Sequence, residues 1–193
     1  AMGRLEDTMK CYQQAADIYV KLKDQRHEGT IRNNLANTLI KLPRYDEARR
    51  ELLRAIECNK PYGHAAEPWM AWDNLCNLER ATGNQQAADE ARRQAIASFL
   101  AYRRDGGQSM QPGAQQCATV ARVLQANAPG ATTESEQQLA EYLTQTDQPR
   151  AHALIPKLQA ILRGDRDPAL PADPQLFYQD AVELQLLLES LGA

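Results

Sequence analysis

The sequence predicts an all-α fold assembled from stacked helical hairpins, and three observations carry that prediction. Residues recur at a constant step of forty: Thr8, Ala48 and Ala88, then Tyr12, Leu52 and Arg92, then Ala15, Ala55 and Ala95. Of the 193 residues 43% are hydrophobic but only 6% aromatic, and Ala, Leu, Gln, Glu and Arg far outnumber the β-branched types, a balance that favours helix. Apolar residues also return at steps of three and four, which gathers them on one side of a helix. A repeat of this length is one supersecondary unit being stacked, because a lone hairpin cannot bury its apolar stripe.

The elements follow in order. Met9, Tyr12, Ala16 and Tyr19 mark one face of a first helix over about 5–22. Asp24 suits the start of a second helix over about 26–41, whose apolar marks are Ile31, Leu35, Leu39 and Leu42. Pro43 breaks the hydrogen-bond ladder where a turn is needed. A third helix over about 44–58 carries Tyr45, Ala48, Leu52, Ala55 and Ile56, and Asn59-Lys60-Pro61-Tyr62-Gly63 reads as a loop. The fourth, about 67–81, presents Trp72, Leu75, Cys76 and Leu78, with Gly83 suited to ending it. The fifth, about 85–103, presents Ala88, Ala91, Ala95, Ile96, Phe99 and Leu100. In this half the small residues Ala36, Ala48, Ala55, Ala88 and Ala95 stand where helices must approach closely, and the leucines fill the gaps between them.

The forty-residue step stops at Asp105-Gly106-Gly107, which divides the chain into 1–104 and 105–193. The second part predicts a helix over 114–126 and another from a capping box, Thr133 with Glu136, through Leu143. A further helix opens near Asp147 and Pro149 and runs to Leu162, with Pro156 predicting a kink, and a last one starts at Asp173-Pro174 and ends near Leu191. Charge divides in the same way: 1–104 holds 17 Lys and Arg against 14 Asp and Glu, whereas 105–193 holds 5 against 11.

Composition narrows the function. The net charge of −3 comes with no concentrated basic face, which argues against nucleic acid. No apolar run is long enough for a membrane helix. Cys11, Cys58, Cys76 and Cys117 are widely spaced among apolar neighbours and read as small buried thiols in a reducing, cytoplasmic setting. Metal and cofactor sites are not expected: His27, His64 and His152 are scattered, and Gly106-Gly107 lacks the lysine and hydroxyl of a phosphate loop. No Gly-x-Ser-x-Gly is present, and the carboxylates read as solvated helix charge, so catalysis is not expected. Trp72 reads as core, while Trp69 after Pro68 is a candidate for an exposed aromatic contact.

The repeat resembles the tetratricopeptide family. The second unit reads Leu35-Ala36, Leu39, Pro43-Arg44-Tyr45-Asp46-Glu47-Ala48, Leu52 and Ala55; the third reads Trp72, Leu75-Cys76, Gly83-Asn84-Gln85-Gln86-Ala87-Ala88 and Ala95. The unit length and the Asn-Leu-Ala stretch are similar to the kinesin-light-chain-like branch. Pro43, Gln85 and Arg92 depart from the pattern, and Arg92 implies looser packing or solvent contact in the third unit. The resemblance implies a right-handed superhelix of antiparallel helical hairpins over 1–104, followed by a divergent helical cap. The first unit keeps only its second helix, so the chain reads as the carboxy-terminal end of a longer array, with Ala1-Met2-Gly3 expected to be a cloning scar.

The same resemblance implies a binding site. In this family the first helix of each hairpin lines a concave face, which here brings forward Asn33, Asn34 and Asn37, then Asp73, Asn74 and Asn77. Asn34 and Asn74 align with the asparagine that holds the backbone of an extended peptide in the similar branch. A side-chain amide both donates and accepts, so it can pair with a peptide group without reading side chains. Lys41 and Arg80 lie near the ends of the same helices, where they could select acidic groups. The partner expected is therefore a protein or peptide, held by an adaptor or sensor module. Two other readings stand beside it: the asparagines stiffen the stack, or the surface is an intrachain or homo-oligomer contact with no external ligand.

Overall fold

A computed structural model describes residues 2–193; Ala1, the first residue of the expected cloning scar, lies outside them. Among the described residues there are nine α-helices and no strand. The chain forms two compact units that divide between Arg104 and Asp105.

The first unit contains α1 (Met2–Leu22), α2 (Gln25–Lys41), α3 (Tyr45–Asn59), a 3₁₀ segment (Lys60–Ala66), α4 (Pro68–Ala81) and α5 (Gln85–Arg104). The most extensive packing is α2 on α3 and α4 on α5, the two helical hairpins. Helix α1 packs on α2, α3 on α4, and α2 also touches α4. Ala36, Ala48, Ala55, Ala88 and Ala95 are all fully buried at 0% exposure, which is why each of these positions takes a small residue. Leu35, Leu39, Leu52, Leu75 and Leu78 fill the space between them, with Met9 from α1.

Local chemistry fixes the boundaries. Asp24 caps α2 by accepting the His27 N–H at 3.1 Å, and its other oxygen lies 2.7 Å from His27 Nδ1. Tyr19 stacks on the His27 ring at 5.2 Å and ties the cap back to α1. Gly83 takes a positive φ of 79° after α4, the left-handed turn expected of it.

Four expectations need correction in this unit. The segment after α3 is wound into 3₁₀ turns rather than open loop, broken only at Gly63. Trp69 is buried, not exposed: its ring meets Phe99 edge-on at 5.3 Å and tilts against Tyr102 at 4.9 Å. Tyr45 points outward although its register marked it as apolar, and Cys11 is exposed while the other three thiols are buried. Trp72 is partly buried against the core.

The second unit contains α6 (Pro112–Ala126), α7 (Ala131–Gln145), α8 (Pro149–Leu162), a 3₁₀ turn (Leu170–Ala172) and α9 (Tyr178–Ser190). Its core is Val120, Leu154, Ile155, Leu158, Ile161, Leu176, Val182 and Leu184. Helix α6 packs on α7, α8 and α9, including a helix distant in sequence. In a linear array each repeat contacts only the adjacent repeats, whereas α6 reaches α9, so this part is a small bundle.

Here the element starts differ from expectation. Helix α7 opens at Ala131 after Gly130, with no side-chain cap, so Thr133 and Glu136 do not form a capping box. Asp173 makes a turn instead of a helix start, accepting the Gln175 N–H at 2.8 Å, and α9 begins at Tyr178. Helix α8 continues through Pro156, which is exposed, so water can reach the carbonyl whose partner the proline removes. Arg150 is fixed by two bonds to Asp180, at 2.5 and 2.6 Å, and one to Gln111 at 2.9 Å. Asp180 is completely buried, so this pairing is what makes its burial tolerable.

Candidate peptide-binding face

The eight candidate residues lie on α2 and α4, helices that touch each other. On α2, Asn34, Asn37 and Lys41 are spaced three and four apart, and on α4 Asp73, Asn77 and Arg80 are spaced four and three apart. Each set therefore follows one helical face. The opposite side of the same helices supplies Leu35, Ala36 and Leu39 on α2, and Leu75, Cys76 and Leu78 on α4, to the core. Asn33, Asn34, Asn37, Asp73 and Asn74 are half-buried, while Lys41, Asn77 and Arg80 are exposed.

The asparagines divide by their bonding. Asn74 Nδ2 donates to Asn33 Oδ1 at 2.9 Å, linking the two helices across forty-one residues. This amide pair is a staple between successive hairpins, and it gives the equivalent residues Asn34 and Asn74 different hydrogen bonding. Asn34 and Asn37 make no side-chain hydrogen bond among the described residues, so both amides keep a donor and an acceptor open. Asn77 reaches Asp73 only at 3.4 Å, and Arg80 Nη2 lies 3.6 Å from Cys76 Sγ, which leaves most of the guanidinium available.

Asp73 gives the face its electrostatic character. Burial raises its pKa above the ordinary 3.8, and the charges of Arg92 and Arg80 offset only part of that rise. Arg92 is thus the charge facing Asp73 from α5, and it is half-buried. Arg92, which departs from the apolar repeat pattern, keeps part of its surface in solvent, as its charge requires.

Buried ion pairs elsewhere in the unit were not singled out by the repeat. Glu28, buried on α2, accepts from Arg32 at 2.8 Å and from Arg54 on α3 at 2.9 Å. Burial opposes its ionisation, but the hydrogen bonds from Arg54 and Arg32 outweigh that and hold its pKa below the ordinary value. Glu79, buried on α4, accepts from Arg49 of α3 at 2.5 and 3.0 Å. The Glu28–Arg32 spacing of four is legible along a helix, whereas the Arg49–Glu79 pair needs the fold.

Among the described residues no cluster of His, Cys, Asp and Glu could hold a metal ion, and no helix is long and apolar enough to cross a membrane. In comparisons with known proteins, the chain matches no family model, no curated protein and no solved structure.

Proposed function

We propose that the first unit is a tetratricopeptide-like, right-handed array that holds an extended peptide segment of a protein partner along α2 and α4, as an adaptor or sensor in the cytoplasm. The observation that carries this reading is the pair of open amides, Asn34 and Asn37, on a half-buried helix face next to an amide staple. Both amides are open to water and bonded to no other residue, and a peptide backbone offers the alternating donor and acceptor that two successive amides can pair with. Lys41 and Arg80 flank the amides and would favour acidic side chains on the peptide, while Asp73 would meet a donor. Neither catalysis nor a cofactor has a role in this reading.

The Asn33–Asn74 bond supports a separate, structural role for those two residues. The test uses a phage-displayed library of random peptides selected on the full chain, with binding of the winners read by fluorescence anisotropy. Asn34→Ala with Asn37→Ala should weaken the selected peptides about tenfold or more while leaving the melting temperature nearly unchanged. Asn33→Ala with Asn74→Ala should instead lower stability by about 1 kcal/mol. If no peptide is enriched, or if the winners ignore Asn34 and Asn37, the groove is wrong. A mass that rises with concentration in light scattering, with no peptide enriched, would favour a contact between copies.

A further inference from the structure

The second unit holds an open groove of about 400 Å³ between α6 and α7, within the size range of small-ligand sites. No Asp, Glu, Lys or Arg lines it. Helix α6 contributes Gln115 and Gln116, α7 contributes Ser135 and Tyr142, Leu139 adds apolar surface, and the buried Val120 lies beneath.

Ser135 is the unusual member. It is only 6% exposed, yet its hydroxyl makes no hydrogen bond among the described residues. A helical serine commonly bonds back to the preceding turn, as Ser98 does here to the Gln94 carbonyl at 2.7 Å. No fully enclosed polar side-chain atom lacks a partner, so the Ser135 hydroxyl opens into the groove. Gln115 and Gln116 also keep their amides unpaired among the described residues. Gln116 and Tyr142 continue into a small recess beside Arg150 and Asp180, where the two charges neutralise each other through a two-point bond.

We propose that the α6–α7 groove binds a neutral saccharide of one or two rings. An uncharged lining disfavours a charged ligand, because its charge would lose water without gaining a counter-charge. The unpaired groups are amides and hydroxyls that both donate and accept, and sugar hydroxyls do the same within a short span. Leu139 and the Tyr142 ring supply the apolar surface on which the C–H face of a sugar ring packs. The Ser135 hydroxyl, set low in the groove and bonded to no other residue, is a group on which a sugar hydroxyl can replace water.

Saturation-transfer difference NMR on the full chain tests this, with maltose, cellobiose, lactose and N,N′-diacetylchitobiose as probes and trialanine as a control. At least one sugar should give difference signals, strongest from ring C–H protons. Titration should show about a fivefold to tenfold weakening in Ser135→Ala and again in Gln116→Leu. Ser135→Ala should melt no lower than the parent chain, since the hydroxyl it removes has no internal partner. Three results would overturn the assignment: silence from every sugar, signals that persist unchanged in both variants, or trialanine binding as strongly as the best sugar.

Discussion

Asp73 shows how one residue can be placed against stability. Its folded pKa is raised by burial, so the folded state binds more protons than the unfolded state as pH rises from 3.8 through the folded value. Stability therefore falls across that window and stays lower above it. Asp73→Asn should raise the melting temperature at neutral pH and remove this fall, as thermal melts from pH 3 to pH 7 would show. A lower melting temperature at neutral pH would mean that Arg92 and Arg80 outweigh burial. The thiols divide by environment too. Cys58, Cys76 and Cys117 are buried, and burial pushes all three pKa values up. Cys11 is exposed. A short pulse of maleimide followed by peptide mass spectrometry should label Cys11 alone, and the other three only after denaturation.

At the scale of elements, close approach and pairing decide which changes are tolerated. Gly113 at the start of α6 lies against α9, where an added Cβ would overlap Asp180 Oδ1. Gly113→Ala must therefore push the carboxylate off Arg150, and we expect a loss of about 3 kcal/mol in urea unfolding, from strain plus a disturbed buried ion pair. Gly3→Ala has open space and serves as the control. The helices of the first unit were legible because the forty-residue step and the three-and-four spacing report the same buried face. Ala48 and Ala88 show this directly, since both are fully buried at equivalent places. Trp69 follows Pro68 at a helix start, which reads as an exposed junction in sequence, and only the fold brings Phe99 and Tyr102 around it. The false capping box at Thr133 and the late start of α9 have a different cause. Short polar motifs compete with turns such as Asp173, and local spacing alone does not rank them.

Over the whole molecule, the period ends at Asp105 and the chain divides between Arg104 and Asp105. Each unit has its own apolar core, one organised as hairpins and one as a bundle. The candidate face was only partly legible for the same reason. Sequence alignment made Asn34 and Asn74 equivalent, yet Asn74 bonds to Asn33 while Asn34 stays open, a distinction set by the neighbouring helix. The groove in the second unit carries no repeat signal, and Ser135 became distinctive only once its burial and missing partner were known. The most direct test of peptide capture is a ¹H–¹⁵N spectrum of the full chain, titrated with the tightest peptide from the library. The side-chain NH₂ resonances of Asn34 and Asn37 should shift and become protected from solvent exchange, with those of the Asn33–Asn74 pair moving less. If the Asn34 and Asn37 resonances stay fixed while signals elsewhere move, peptide recognition does not run along α2 and α4.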